Sequence, residues 1–137
     1  MTRLINPGPG EMLDRLSILA LKILYGRVAG KDVKAFELER GALFAKVAGS
    51  RTLTGQGFEA FVELSTVNSV LWHLEDDLRV LRAATDPTVP TQWREAALCA
   101  YRIQEFNDKR AELIMAINRQ VGDQWEEKNE QLDPART

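Results

Sequence analysis

Residues 68–82 read NSVLWHLEDDLRVLR, and the fold turns on the period of that stretch. At about 100° per residue, Asn68, Trp72, Glu75 and Arg79 fall on one stripe roughly 60° wide. Val67, Leu71, Leu74, Leu78 and Leu81 form a second stripe beside it, in heptad spacing. The segment therefore predicts a helix from about Phe58 to Ala84. Its leucine seam is edged by an amide, an indole, a carboxylate and a guanidinium.

Working outward, the same period recurs on both sides. A fourth helix is expected from near Gln92, with Thr91 as its cap, to Gly122, a residue type common just past a helix end. Its seam steps by four and three through Ala96, Ala100, Ile103, Asn107, Arg110, Ile114, Ile117 and Val121. Two consecutive seam positions, Asn107 and Arg110, are polar. Upstream, PGPGEMLDRLSILALKILYGRVAG places Pro9 at a first helical position and Glu11 where a carboxylate favours the helix dipole. That helix runs to about Val28, and its broad apolar surface suggests a central position. Asp32 is suited to cap a second helix carrying Phe36, Leu43, Phe44 and Val47 on its apolar side. GSRTLTGQG and TDPTVPT are turn-rich connectors.

Period-two alternation and hairpin turns are absent. The expected fold is all-α, an antiparallel bundle of four main helices. A short C-terminal helix or tail follows around Trp125. The 137 residues fit a single domain, with 1–8 and 131–137 expected to be flexible.

Composition narrows the function classes. The chain is 45% hydrophobic and 28% charged, with net charge −2. It thus carries no positive field for nucleic acid and no basic run, so no nucleic-acid partner is expected. The longest greasy run, LSILALKIL, is too short to span a bilayer and includes Lys22. The start lacks the apolar core of a secretory signal. With Cys99 the only cysteine, no intrachain disulfide or Cys-rich zinc site is available, and a cytoplasmic location is the simplest expectation.

The two polar stripes point at each other. An unpaired guanidinium in a bundle core costs several kcal/mol, so Arg110 needs a carboxylate or a route to water. Glu75 and Asp76 are the natural partners, with Asp108 and Glu11 next. The expected cross-helix network joins Asn68, Glu75, Arg79, Asn107 and Arg110, with Trp72 as a wall and Asp14 and Arg15 joining from the first helix. Such a network either fixes register, as polar residues do in coiled coils, or lines a concave ligand site. Acid pairs at Glu11/Asp14, Glu75/Asp76 and Glu105/Asp108 are the sort any acidic helical protein shows by chance, so no metal and no cofactor are expected. A di-iron bundle needs Glu-x-x-His on two helices, and His73 has Val70 three residues before it. His73 reads as a surface residue and Cys99 as a small core residue.

Three segments, PGEMLDRLSILALK, VNSVLWHLEDDLR and FNDKRAELIMAINRQVG…EEK, resemble in that order the motifs of a small bacterial domain-of-unknown-function family. Its members often look like companions of glycosyltransferases in surface-polysaccharide gene clusters. The Asn-x-x-Leu-Trp-x-x-Glu-Asp-x-x-Arg and Asn-Asp-x-Arg patterns also resemble a second uncharacterised all-helical family. The resemblance falls on Pro9, Gly10, Glu11, Asp14, Arg15, Asn68, Trp72, Glu75, Asp76, Arg79, Asn107, Asp108, Arg110 and Asn118. It implies no reaction. The leading expectation is a non-catalytic accessory protein that binds an anionic small molecule or a glycosyltransferase-type partner. In it Arg79 and Arg110 grip the anion, Glu75 and Asn107 orient them, and Trp72 closes one wall. The alternatives are a metal-assisted nucleotide-hydrolysing or mutase-type helical enzyme, and a homodimeric scaffold.

Overall fold

In the computed structural model, residues 8–48, 53 and 55–132 are described, with 48 and 122–132 as backbone only. Four helices and no strand make up these residues: α1 Pro9–Val28, α2 Lys34–Ala48, α3 Gly55–Ala84 and α4 Pro90–Leu132. The fold is all-α, as the periodicity requires.

Helix α1 starts where the sequence places it. Pro9 sits in the first turn after Gly8, whose carbonyl accepts from Met12 N at 3.1 Å. Its end is a turn through Gly30, with φ of 71°, a left-handed conformation that glycine adopts without a Cβ clash. Asp32 Oδ1 accepts from Lys34 N at 3.0 Å and so caps α2 from its side chain. Helix α3 begins three residues before the expected Phe58 and takes in Gly55, Gln56 and Gly57, with Gly57 buried.

Helix α4 departs from expectation at both ends. It begins at Pro90 rather than beyond Thr91, because proline at the first position gives up only an N–H that has no intrahelical partner there. The turn before it is organised by Asp86, whose Oδ1 accepts from Thr88 N at 2.9 Å and Thr88 Oγ1 at 2.7 Å. At the far end the backbone stays helical through Gly122 and Trp125 to Leu132, instead of breaking and restarting. An interior glycine costs only about 1 kcal/mol relative to alanine, which is too little to end a helix by itself. The expected flexibility of 1–8 and 131–137 lies outside the described residues, except for Gly8 and for 131–132 in α4.

Side-chain contacts give the directions. Cys99 Sγ meets the Leu74 carbonyl at 3.4 Å, and Gln120 Nε2 donates to Gln56 Oε1 at 2.6 Å, so α3 and α4 run antiparallel along their length. Gly10 lies at Asn118 and Asp14 at Arg110, making α1 antiparallel to α4 as well. Arg15 lies at Glu39 and Lys22 at Phe36, which sets α2 antiparallel to α1. The core forms where α1, α3 and α4 meet. Leu64 and Ile117 are fully buried there, beside Leu13, Leu16, Val67, Leu71, Leu113 and Ile103. Each such burial contributes about 1.5–3 kcal/mol. Leu43 and Val47 of α2 pack against its edge.

Two contacts fix how α1 is seated. A Cβ built on Gly10 would lie 2.4 Å from the Ile114 carbonyl oxygen. Only glycine lets the α1 and α4 backbones come this close. Arg15 holds α2 with a two-pronged pair to Glu39, Nε to Oε2 and Nη2 to Oε1, both at 2.8 Å. That guanidinium holds the Glu39 carboxyl below the usual carboxylate range. Among the described residues no helix is long and apolar enough to cross a membrane.

Gly10→Ala destabilises the protein by about 1–3 kcal/mol, because a carbonyl oxygen on a second helix cannot move aside as a side chain can; urea denaturation reads this directly. For Glu39 the folded-state carboxyl is depressed, so its stabilising effect is full above the ordinary glutamate range of about pH 4.3 and is lost as pH falls through the lower folded value. Thermal melts of the parent and Glu39→Gln should differ at pH 7 and converge near pH 3.

Candidate inter-helix cleft

The polar stripe of α3 does face the polar seam of α4, but α1 supplies the group that organises them. Asp14 is 7% exposed. Its Oδ1 accepts from Arg110 Nε at 2.9 Å and its Oδ2 from Arg110 Nη2 at 2.6 Å. This is the fork geometry that makes arginine–carboxylate pairs strong and directional. Asn68 Nδ2 adds a third donor to Asp14 Oδ1 at 2.9 Å and also reaches Ser17 Oγ at 2.6 Å. Ser17 Oγ in turn donates to the Asp14 carbonyl at 2.8 Å. Among the described residues every buried side-chain nitrogen and oxygen has a partner. One carboxylate therefore ties α1 to α3 and α4 together. It also holds the Arg110 guanidinium more firmly protonated than usual, through the hydrogen bonds it accepts.

This corrects the expected pairing. Arg110 is satisfied by Asp14, not by Glu75, Asp76, Asp108 or Glu11, and Asn68 bonds Asp14 and Ser17 rather than Asn107. Arg79 pairs with Asp76 one turn earlier on its own helix, with both side chains exposed. Glu11 accepts from Asn118 Nδ2 at 3.0 Å on each carboxylate oxygen, while Asn118 Oδ1 accepts from Gly10 N at 2.8 Å. Glu11 thus anchors the start of α1. Arg15 serves the α1–α2 contact, and Asp108 is exposed.

A cleft of about 290 Å³ opens beside the Asp14 knot, lined by Ile18, Leu21, Asn68, Leu71, Trp72, Glu75, Arg79, Asn107 and Arg110. Every member of the α3 stripe and both polar seam residues of α4 are on its surface. Glu75, Asn107 and Arg79 are exposed, and Arg110 is partly buried, so these groups meet at a solvent-reachable concavity instead of a sealed core. The fork to Asp14 uses two of the five N–H groups of Arg110, which leaves three for other acceptors.

Trp72 is a wall shared with a second cleft. Tyr25 stacks on it with ring centroids 5.5 Å apart and planes 16° from parallel. His73 meets the Tyr25 ring edge-on, and its Nε2 is 3.2 Å from the phenol oxygen. His73 is on the surface and Cys99 in the core, as expected. Among the described residues no three His, Cys, Asp or Glu side chains come together in a way that could hold a metal ion.

Sequence reasoning missed the contribution of α1 as a whole stripe. Asp14, Ile18, Leu21 and Tyr25 step by four, three and four, the same spacing that flagged α3. The signal was available but lay within a helix that is apolar over most of its surface. No family model, no curated protein and no solved structure matches this chain.

The knot makes a quantitative prediction. Asp14→Ala leaves Arg110 partly buried without its partner and costs about 3 kcal/mol, at the low end for broken buried pairs because a third of the Arg110 side chain is exposed. Arg110→Met alone strands Asp14 in the same way, whereas the double variant Asp14→Leu/Arg110→Met recovers most of the loss. A double-mutant cycle in urea measures the coupling, and an additive result excludes the knot as an energetic unit.

Proposed function

We propose that this protein is a non-catalytic binding protein whose inter-helix cleft takes a small anion bearing hydroxyl groups. The observation that carries the proposal is the convergence of Asn68, Trp72, Glu75, Arg79, Asn107 and Arg110 on one open cleft, with Arg110 held in place by Asp14. Preorganised arginine lowers the cost of binding, since the side chain is already ordered.

Charge in the cleft decides the ligand class. Arg110 is neutralised by Asp14, and Arg79 is paired with Asp76. The Arg79 pair is exposed on both sides, and such pairs contribute about 0–1 kcal/mol, so an incoming carboxylate or phosphate displaces Asp76 at little cost. Glu75 adds a negative group to the wall. It disfavours a bare polyanion and favours a ligand that offers hydroxyl donors beside its anionic group. Asn68 and Asn107 suit the same chemistry, because an amide both donates and accepts.

The resemblance to companions of surface-polysaccharide glycosyltransferases supports a ligand or partner from bacterial glycan assembly in the cytoplasm. The competing account is structural, in which the polar groups serve pairing within the bundle or in a homodimer. The Asp14 knot is compatible with it, but among the described residues Arg79, Glu75 and Asn107 make no hydrogen bond or ion pair across the helices.

Ligand-dependent stabilisation separates the two. Inorganic phosphate, citrate and sugar phosphates should raise the melting temperature, with a full effect of about 2.7 kcal/mol at a hundred times Kd. Arg79→Ala, an exposed change that leaves the knot intact, should abolish the shift. If no anion stabilises the protein at tens of millimolar while Asp14 and Arg110 remain strongly coupled, the binding proposal fails and the structural account stands.

A further inference from the structure

The second cleft has a different chemistry from the first. It holds about 480 Å³ between the C-terminal half of α1, the α1–α2 turn, the start of α2 and the middle of α3. Its apolar surface is aromatic. The near-parallel Tyr25 and Trp72 rings are joined by Phe36 from α2, and Tyr25 is fixed by His73. Val33 is buried beneath the turn, and a Cβ on Gly26 would come within 2.6 Å of its Cγ1, so glycine is what allows the turn to close against α1 here.

Its charged rim is biased towards cations. Lys22, Lys31 and Arg79 face Asp32 and Asp76. The three cations outnumber the two carboxylates whether or not Arg79 stays on Asp76, and one oxygen of Asp32 is used to cap α2. Lys22 sits 5.2 Å from the Phe36 ring centroid, and among the described residues neither Lys22 nor Lys31 is in an ion pair. Flat apolar walls beside spare ammonium groups suit a planar ring that carries a negative group. Trp72 and Arg79 line both clefts, so the two adjoin at these residues.

We infer that the two clefts form one groove for a single elongated ligand, with a flat aromatic ring in the second cleft and its anionic substituent at Arg79 on the shared wall. The anionic group at Arg79 is the one the first cleft takes, so this inference rests on the binding function proposed above and extends it to a ligand class; only a hydroxyl-bearing extension beyond that anion would reach further into the first cleft. The shared chemistry is a ring linked to a phosphate or carboxylate. Nucleoside phosphates and aromatic carboxylates are its two sources.

Calorimetric titration of the full chain tests it with AMP, GMP, CMP, UMP, 4-hydroxybenzoate and inorganic phosphate as probes. At least one ring-bearing anion should bind tenfold or more tightly than phosphate, and whether a nucleotide or the benzoate does so identifies the source. Phe36→Ala should weaken that ring-bearing anion several-fold more than it weakens phosphate. Lys31→Ala, at an exposed position, should weaken the ring-bearing anions several-fold without touching the fold, which circular dichroism checks for both variants. If phosphate binds through Arg79 but no ring-bearing anion exceeds it, the groove is overturned and the first cleft survives. If neither phosphate nor any ring-bearing anion binds, both readings fall together.

Discussion

The carboxylate of Asp14 is the point on which three helices turn. It sits on α1 among leucines, where an ionised group is costly unless its lone pairs are filled. Two N–H groups of Arg110 and the amide of Asn68 fill them, while Ser17 closes the ring of hydrogen bonds back to the α1 backbone. Each donor arrives from a different direction, so the knot is satisfied in one relative placement of α1, α3 and α4. Apolar side chains tolerate sliding along a helix interface; a forked guanidinium does not. Leucine burial supplies most of the stability, and the knot selects among the packings that burial alone would permit.

The candidate site is a consequence of that placement. Once Arg110 is drawn towards α1, the next residues along each stripe, Leu21 on α1, Trp72 and Glu75 on α3 and Asn107 on α4, are left around an opening instead of meeting. The Gly10–Asn118 contact and the two bonds from Asn118 to Glu11 seat the start of α1 directly on α4. Further along α1, Tyr25 stacks on Trp72, and the α1–α2 turn folds against Gly26. This closes the far side of the second cleft. Firm contacts at one end and open concavities at the other are the arrangement that lets a small bundle present a binding surface without giving up its core.

Much of this was legible in the sequence. The 3.6-residue period of NSVLWHLEDDLRVLR gave α3 and its two stripes, and the four-and-three steps of α4 exposed Asn107 and Arg110 as polar seam positions. All six stripe and seam residues do line one cleft. The partner of Arg110 was not legible in the same way. Asp14 is 96 positions away, and the spacing favoured Glu75 and Asp76, with Asp108 and Glu11 next. Helix ends were misjudged where a single residue type was taken as decisive: Gly122 does not stop α4, and Pro90 starts it earlier than Thr91.

The sequence by itself determined the helices, the faces that α3 and α4 bury and the positions where polar groups interrupt those faces, whereas Phe44, expected on the buried side of α2, is exposed. These are local properties, set by periodicity, caps and turn residues within a few neighbours. Tertiary structure decided which carboxylate meets Arg110, and that Glu75, Arg79 and Asn107 face water across a cleft instead of one another. Those outcomes depend on helix register and approach. Contacts such as the backbone of Gly10 against Ile114 fix both, and no helical period records them.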